Sequence, residues 1–203
     1  MKYIKTIINI LLITNILIGF FSFFGIDILS SMSKKYNIEL PLVDAEGIAV
    51  DSMNNIYIGS PFYGILQIYD KTGKFIKNWE VLTYGGGFYI KILKNDTIAI
   101  YPYRAKEEIL YNKEGKLLIK NKLEKCNDIN KLNNIYLSNT GERYEVFKWF
   151  YPKIKKDNIT IISQNLLLKM LTPPQGFLIA IILTIFLVII NINKINRILM
   201  TKK

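Results

Sequence analysis

Residues 47–79 hold four short β-prone runs, at 47–50, 55–59, 65–69 and 74–79, separated by turn residues at 51–54, 60–64 and 70–73. An up-and-down unit of four strands is what one blade of a β-propeller needs. This stretch sets the architecture expected of the chain without naming a job for it.

The unit recurs. Asn54-Asn55-Ile56-Tyr57-Ile58 is echoed by Lys94-Asn95-Asp96-Thr97-Ile98-Ala99-Ile100 and again by Asn133-Asn134-Ile135-Tyr136-Leu137. Tyr69-Asp70-Lys71-Thr72-Gly73-Lys74 is echoed by Tyr111-Asn112-Lys113-Glu114-Gly115-Lys116. Each echo sets a turn before a strand, and the glycine supplies the positive φ that the second hairpin turn requires. A spacing of about 40 residues suits propeller blades. Three blades are expected, at about 43–81, 85–120 and 127–163, the third with strands over 143–151 and 158–163.

The pattern resembles NHL-type β-propeller repeats. The residues that carry the likeness are Gly47-Ile48-Ala49-Val50-Asp51, Asn55-Ile56-Tyr57-Ile58 and Ile68-Tyr69-Asp70 with Gly73-Lys74. It is strong over the first unit, weaker over the second and faint over the third. The loop Ser60-Pro61-Phe62-Tyr63-Gly64-Ile65 departs from the Asp-x-x-Asn-x-Arg usual in the family, so the family's polar contacts there do not transfer. Closed propellers use about four to eight blades. Three imply an open or irregular stack within one chain, or completion by a second copy or a partner.

Hydropathy frames this middle. Mean hydropathy is +0.20 although the net charge is +11. The two are compatible because residues 31–172 carry 21 of the 27 basic and 15 of the 16 acidic side chains. Residues 6–26 are uncharged and predominantly apolar, and 177–190 are interrupted only by Thr184. Each is long enough, with its flanks, to cross about 30 Å of hydrocarbon. A cleaved signal peptide is the rival for the first segment. The division expected is an N-terminal transmembrane anchor (1–30), an extracytoplasmic NHL-like β domain (31–172), a C-terminal transmembrane helix (173–193) and a basic tail (194–203). Lys194, Arg197, Lys202 and Lys203 put both tails in the cytoplasm, in the plasma membrane. Lipid is then one partner.

The chemistry of catalysis is missing from the sequence. There is no histidine, no Gly-x-Ser-x-Gly, no phosphate loop and no cysteine pair, Cys126 being alone. Gly85-Gly86-Gly87 lacks the following lysine and helix of a phosphate cradle and reads as a blade-to-blade turn. Asp44, Glu46 and Asp51, like Glu107-Glu108, could pair for acid–base work or Ca²⁺, but read better as solvated acids at strand ends. The lysines are spread along turns, not massed, which argues against nucleic acid.

Aromatic residues are the other excess. Most fall in strands, where packing accounts for them. Phe62, Tyr63, Tyr101 and Tyr103 differ in sitting at loops after the second strand of successive blades, where they could form a binding rim. The reading is a membrane-anchored, non-enzymatic interaction or sensor protein, with no cofactor or metal, acting on a protein partner or a second copy of itself. The alternatives are an enzyme or metal-binding subunit using acidic propeller loops, or an accessory subunit of a larger membrane complex.

Overall fold

The computed structural model describes residues 35–123, 134–138, 141–148 and 152–165, with individual residues between 9 and 33 and between 168 and 189. The chain divides into two compact units, Met1–Ile28 with Leu166–Lys203, and Leu29–Asn165.

The second unit is all strand. Sheet 1 runs β1 (Ile48–Val50), β2 (Ile56–Ser60), β3 (Ile65–Tyr69), β4 (Phe75–Glu80). Sheet 2 runs β5 (Phe88–Ile92), β6 (Ile98–Pro102), β7 (Glu107–Tyr111), β8 (Leu117–Lys122). Sheet 3 holds β9 (Ile135–Leu137), β10 (Arg143–Phe147), β11 (Lys153–Lys156), β12 (Ile159–Ile162), again in sequence order across the sheet. Every pairing is antiparallel between neighbours in sequence, so the fold is mainly β and propeller-like.

Local chemistry makes the hairpins. In the turn from β3 to β4, one Asp70 carboxylate oxygen accepts the Thr72 and Lys74 amides at 2.8 and 3.0 Å, and Gly73 takes φ +85°. Asn112 does the same in sheet 2 with the Glu114 and Lys116 amides, and Gly115 takes the same φ. Both hairpins carry a register shift before the turn, at Ile68/Tyr69 and Leu110/Tyr111, as a short loop closed by a left-handed glycine produces. The third sheet departs from expectation: β10 stops at Phe147, β11 was not foreseen, and the Asn133–Leu137 echo falls on the first described strand of its sheet, where its counterparts form the second.

Sheet 1 is the middle layer. One of its faces (Ile48, Val50, Ile56, Ile58, Tyr69) packs with Tyr144, Val146, Ile154 and Ile162 of sheet 3. The opposite face (Ala49, Tyr57, Leu66, Ile68) packs with Phe88, Ile90, Ile98, Ile100 and Ile109 of sheet 2. The order in space is therefore sheet 3, sheet 1, sheet 2, and no strand of sheet 2 packs on a strand of sheet 3 among the described residues. Residues 39–42 are pinned by two buried amides: Gln67 accepts from the Leu40 N–H and donates to its carbonyl, while Gln164 accepts from the Leu42 N–H.

The flanking transmembrane helices are corrected here. A helical span needs about 20 consecutive, predominantly apolar residues. Among the described residues no helix is long and apolar enough to cross a membrane. Much of 1–27 and 166–203 lies outside the described residues, as does the tail over 194–203. The plasma-membrane placement with both tails cytoplasmic rested on those two helices and falls with them.

Candidate ligand-binding site

The four strands of sheet 1 and the four of sheet 2 end in two different sets of connections. At one end lie the turns closed by Asp51, Asp70 and Asn112. At the other lie residues 43–47, the loop 60–64, the link 81–87 and the loop 102–106. The link and the first loop are joined directly, since the Val81 N–H donates to the Gly64 carbonyl at 2.9 Å. The glycine run is thus the connection between β4 and β5, with Tyr84 and Gly85 both at positive φ.

Two carboxylates anchor this end. Asp44 and Glu46 lie two apart on the segment before β1, Asp44 in a bend. Asp44 accepts the Phe62 N–H at 2.6 Å and the Ser60 hydroxyl at 3.2 Å. Burial is the main cause that pushes its carboxyl up from 3.8 to about 6, the Glu46 charge adding to it and the hydrogen bonds from Phe62 and Ser60 opposing it. Both side chains are half-buried, not the solvated turn acids that the sequence suggested. Glu46 reaches sheet 2: a Cβ on Gly87 would stand 2.5 Å from its Oε2 and 2.8 Å from the Tyr103 ring. Among the described residues every ion pair lies elsewhere, on Asp96, Glu107, Glu142 and Glu145.

The aromatic residues foreseen as a rim separate into two groups. Phe62 is 41% exposed and its ring meets Tyr63 edge-on, with centroids 5.1 Å apart. Tyr63 is 5% exposed, and no donor or acceptor among the described residues reaches its hydroxyl. Burial, and after it the Asp44 charge, holds that hydroxyl's pKa above its ordinary value. Tyr103 stands half-buried against Gly87, its N–H donating to the Gly87 carbonyl. Tyr101 is set apart. It lies within β6, beside Tyr89 at 5.8 Å, and donates to Glu108 at 2.6 Å. Strand alternation turns both away from Ile90 and Ile100, which face sheet 1.

What sequence reading missed is the union of Asp44, Glu46, Tyr63, Gly87 and Tyr103. The signal was the Asp-x-Glu spacing just before the first strand, and it became meaningful only once Gly87 was placed beside it. Arg104 extends the same surface: it is exposed, and a Cβ on Gly86 would stand 3.0 Å from its stem.

The opposite end holds a cavity of about 510 Å³ lined by Asp51, Ser52, Asn54, Lys94, Asp96 and Tyr136, among others. Its acids are occupied. Asp51 accepts the Met53 and Asn55 amides and the Tyr57 hydroxyl. Asp96 clasps Lys113 at 2.8 Å and the Ser52 N–H at 3.0 Å, and Lys113 is the main cause that lowers its pKa to about 2. These contacts join sheets and close turns. No group of three or more metal-ligating side chains occurs among the described residues.

No family model matches the chain, and no curated protein does. Among solved structures it is similar to a virginiamycin B lyase from Staphylococcus aureus bound to quinupristin, at 14% identity and a TM-score of 0.37, over 59% of this chain and 43% of that one. It is similar to a streptogramin B lyase at 16% identity and a TM-score of 0.38, over 60% and 39%. A protein of unknown function from Bacteroides caccae aligns at 12% identity and a TM-score of 0.34, over 64% and 50%. The chain spans half the length of these structures or less. Likeness at this level carries no argument about activity, and the propeller-like description rests on the three sheets themselves.

Asp44 offers a direct check. Its folded pKa lies above its ordinary one, so its charge costs stability at pH 7, and the cost is relieved as pH falls through 6 towards 3.8. Discounted for partial exposure, the cost is about 1–2 kcal/mol. Asp44→Asn is expected to raise the urea stability of the chain at pH 7 by about that amount and to match the wild type near pH 4. Taking the difference between the two proteins cancels the other titrating acids. A variant less stable than wild type at pH 7 would mean that the site welcomes the charge.

Proposed function

We propose that the protein is a non-enzymatic interaction module, built on NHL-type repeats, that docks a protein partner on the loop end of sheets 1 and 2. The observation that carries the reading is three large apolar side chains exposed on two loops joined by the Val81–Gly64 hydrogen bond: Phe62, Leu82 and Tyr84, at 41%, 43% and 46% exposure, Tyr84 carrying Lys120 over its ring and donating its hydroxyl to Glu107. Arg104 and half-buried Tyr103 complete the surface. Aromatic residues and arginine are the types that dominate binding energy at protein interfaces. The lack of histidine and of any nucleophile motif supports binding without chemistry.

A photo-crosslinking residue placed at Phe62 of the full chain in its own cells is expected to give a discrete protein adduct. The same residue at Lys71, in a turn at the opposite end, is expected to give none. With the crosslinker at Lys106, Phe62→Ala with Tyr84→Ala should cut adduct yield about tenfold or more, the loss of about 1.4 kcal/mol of binding. Adducts that form from Lys71 and not from Phe62 would place the partner elsewhere and end this reading.

A further inference from the structure

We propose that the docked partner lays an extended, acidic segment along the open edge of β8, as a fifth strand of sheet 2. The inference rests on the docking reading above for its partner and adds the form and charge of the segment that binds. β4 and β8 are the last strands of sheets 1 and 2, so each leaves one row of backbone N–H and C=O groups without a strand beside it. The repeat makes the two edges comparable. Asp70 matches Asn112 and Gly73 matches Gly115, with the same register shift before each turn, so Ile76 and Asn78 of β4 match Leu118 and Lys120 of β8.

Sheet 1 shows how such an edge is covered. The Asn37 carboxamide lies beside β4 as a rung of a neighbouring strand would, donating to the Ile76 carbonyl at 3.2 Å and accepting the Asn78 N–H at 2.9 Å. The Asn78 side chain donates in turn to the Ile38 carbonyl at 2.7 Å and the Ser33 hydroxyl at 2.6 Å. Sheet 2 has no such cover among the described residues. The Leu123 N–H donates inward to the Lys106 carbonyl, so strand alternation turns the Lys120 and Lys122 amides outward, where no described residue meets them. All six positions of β8 are exposed, and Leu117, Leu118 and Ile119 stand at 45%, 49% and 52%. Apolar side chains on an unpaired edge are what strand addition covers.

Charge selects the occupant. Residues 116–122 include Lys116, Lys120 and Lys122 and no acid. A second copy paired antiparallel about Ile119 would set Lys116 opposite Lys122, on a chain of net charge +11, and like charges across strands destabilise pairing. An acidic segment meets the same lysines with opposite charge. The edge is also continuous with the docking surface. The Lys120 ammonium lies 5.0 Å from the Tyr84 ring centroid and 3.1 Å from Glu107, to which Tyr84 donates its hydroxyl. A segment running on from Tyr84 therefore meets β8 at its Lys120–Lys122 end.

The test titrates isotope-labelled full-length protein with acetyl-Glu-Val-Glu-Val-Glu-Val-Glu amide. The controls are the same peptide with lysine for glutamate, and the acidic peptide N-methylated at every residue, which keeps its charge and cannot pair as a strand. The acidic peptide is expected to saturate and to slow hydrogen exchange at the Lys120 and Lys122 amides by about tenfold or more, leaving the inward Leu123 amide unchanged. Both controls are expected to bind at least about tenfold more weakly. Lys120→Pro removes an outward N–H without touching a bond of the sheet, whereas Lys120→Gln sheds the same charge and keeps the N–H. The acidic peptide is expected to bind the glutamine variant at least about tenfold more tightly than the proline variant, with the amide spectrum of sheet 1 unchanged in both to certify the fold. The proposal is overturned if the methylated peptide binds as well as its parent, if the basic peptide binds as well as the acidic one, or if no peptide saturates. It is overturned equally if the protein alone sediments as a dimer with those two amides already protected, which would make a second copy the occupant. Failure of the docking reading registers separately, as loss of the crosslink from Phe62 in the unmodified protein. Phe62 crosslinks of equal yield in Lys120→Pro and Lys120→Gln would leave docking intact and overturn the added strand alone.

Discussion

Gly73→Ala is expected to cost at least about 3 kcal/mol of stability, the sum of a strained backbone and a blocked contact. Gly73 sits at φ +85°, where an L side chain pays about 1–2 kcal/mol. Its Cβ would stand 2.0 Å from the Ile161 carbonyl oxygen and 2.8 Å from the carbonyl carbon. Those are backbone atoms of β12, and they cannot turn aside as a flexible side chain would. Sheets 1 and 3 must separate instead, which opens the cluster of Tyr69, Tyr144, Ile154 and Ile162 to water. Gly141 is the internal control. It has nearly the same φ, +84°, and a Cβ there would meet nothing within 4 Å. Gly141→Ala should therefore show the conformational strain alone, and the difference between the two variants in urea unfolding reads the packing of sheet 1 on sheet 3. If the two fall within about 1 kcal/mol of each other, the turn between β3 and β4 does not press on sheet 3.

The same glycine marks the boundary of what sequence could reveal. The turn around Gly73 and its echo at Gly115 were legible because the chemistry is local: an Asp or Asn accepts amides two and four residues on, and a glycine takes the left-handed conformation. Strands β1 to β8 follow from such punctuation. That Gly73 meets Ile161 was not legible, because the contact joins positions some 90 residues apart with no pattern linking them. Sheet 3 was blurred for a related reason. Ile135, Leu137 and Ile159 are exposed in it, so apolar residues do not mark one buried face, and Lys153, Lys155 and Lys156 mask the strand β11.

The candidate site has the same history. Asp44 and Glu46 look like ordinary turn acids until Phe62 and Gly87 close around them, and no local rule forecasts that. Phe62 and Tyr63 were legible as an aromatic pair in a loop, whereas Tyr101 shares their repeat position and not their surroundings. The misread ends show the reverse error. Local apolarity was plain over 6–26 and 173–193, whereas among the described residues no helix is long and apolar enough to cross a membrane.

The second large effect lies in the two buried glutamines. Gln67→Leu is expected to cost about 2–3 kcal/mol, although it replaces a polar residue with an apolar one in a strand whose five positions are all buried. The amide is 0% exposed and serves the backbone of Leu40, accepting its N–H at 2.9 Å and donating to its carbonyl at 3.1 Å. Leucine would leave that N–H buried and unmet, and gain in apolar contact offsets only part of it. Gln164→Leu should cost a similar amount by stranding the Leu42 N–H, which it now meets at 2.8 Å. The pair is more telling than either. The Leu40 carbonyl accepts from both side chains, from Gln164 at 2.7 Å, so each single variant leaves it one donor and the double variant leaves it none. The double should therefore exceed the sum of the singles by about 1–2 kcal/mol, a coupling that urea unfolding of the four proteins resolves. Simple additivity would mean that residues 39–42 are held between β3 and the end of β12 by their apolar side chains, not by this amide clamp. In that case Asp44, four residues beyond Leu40 on the same segment, would owe its position to the Phe62 and Ser60 contacts alone.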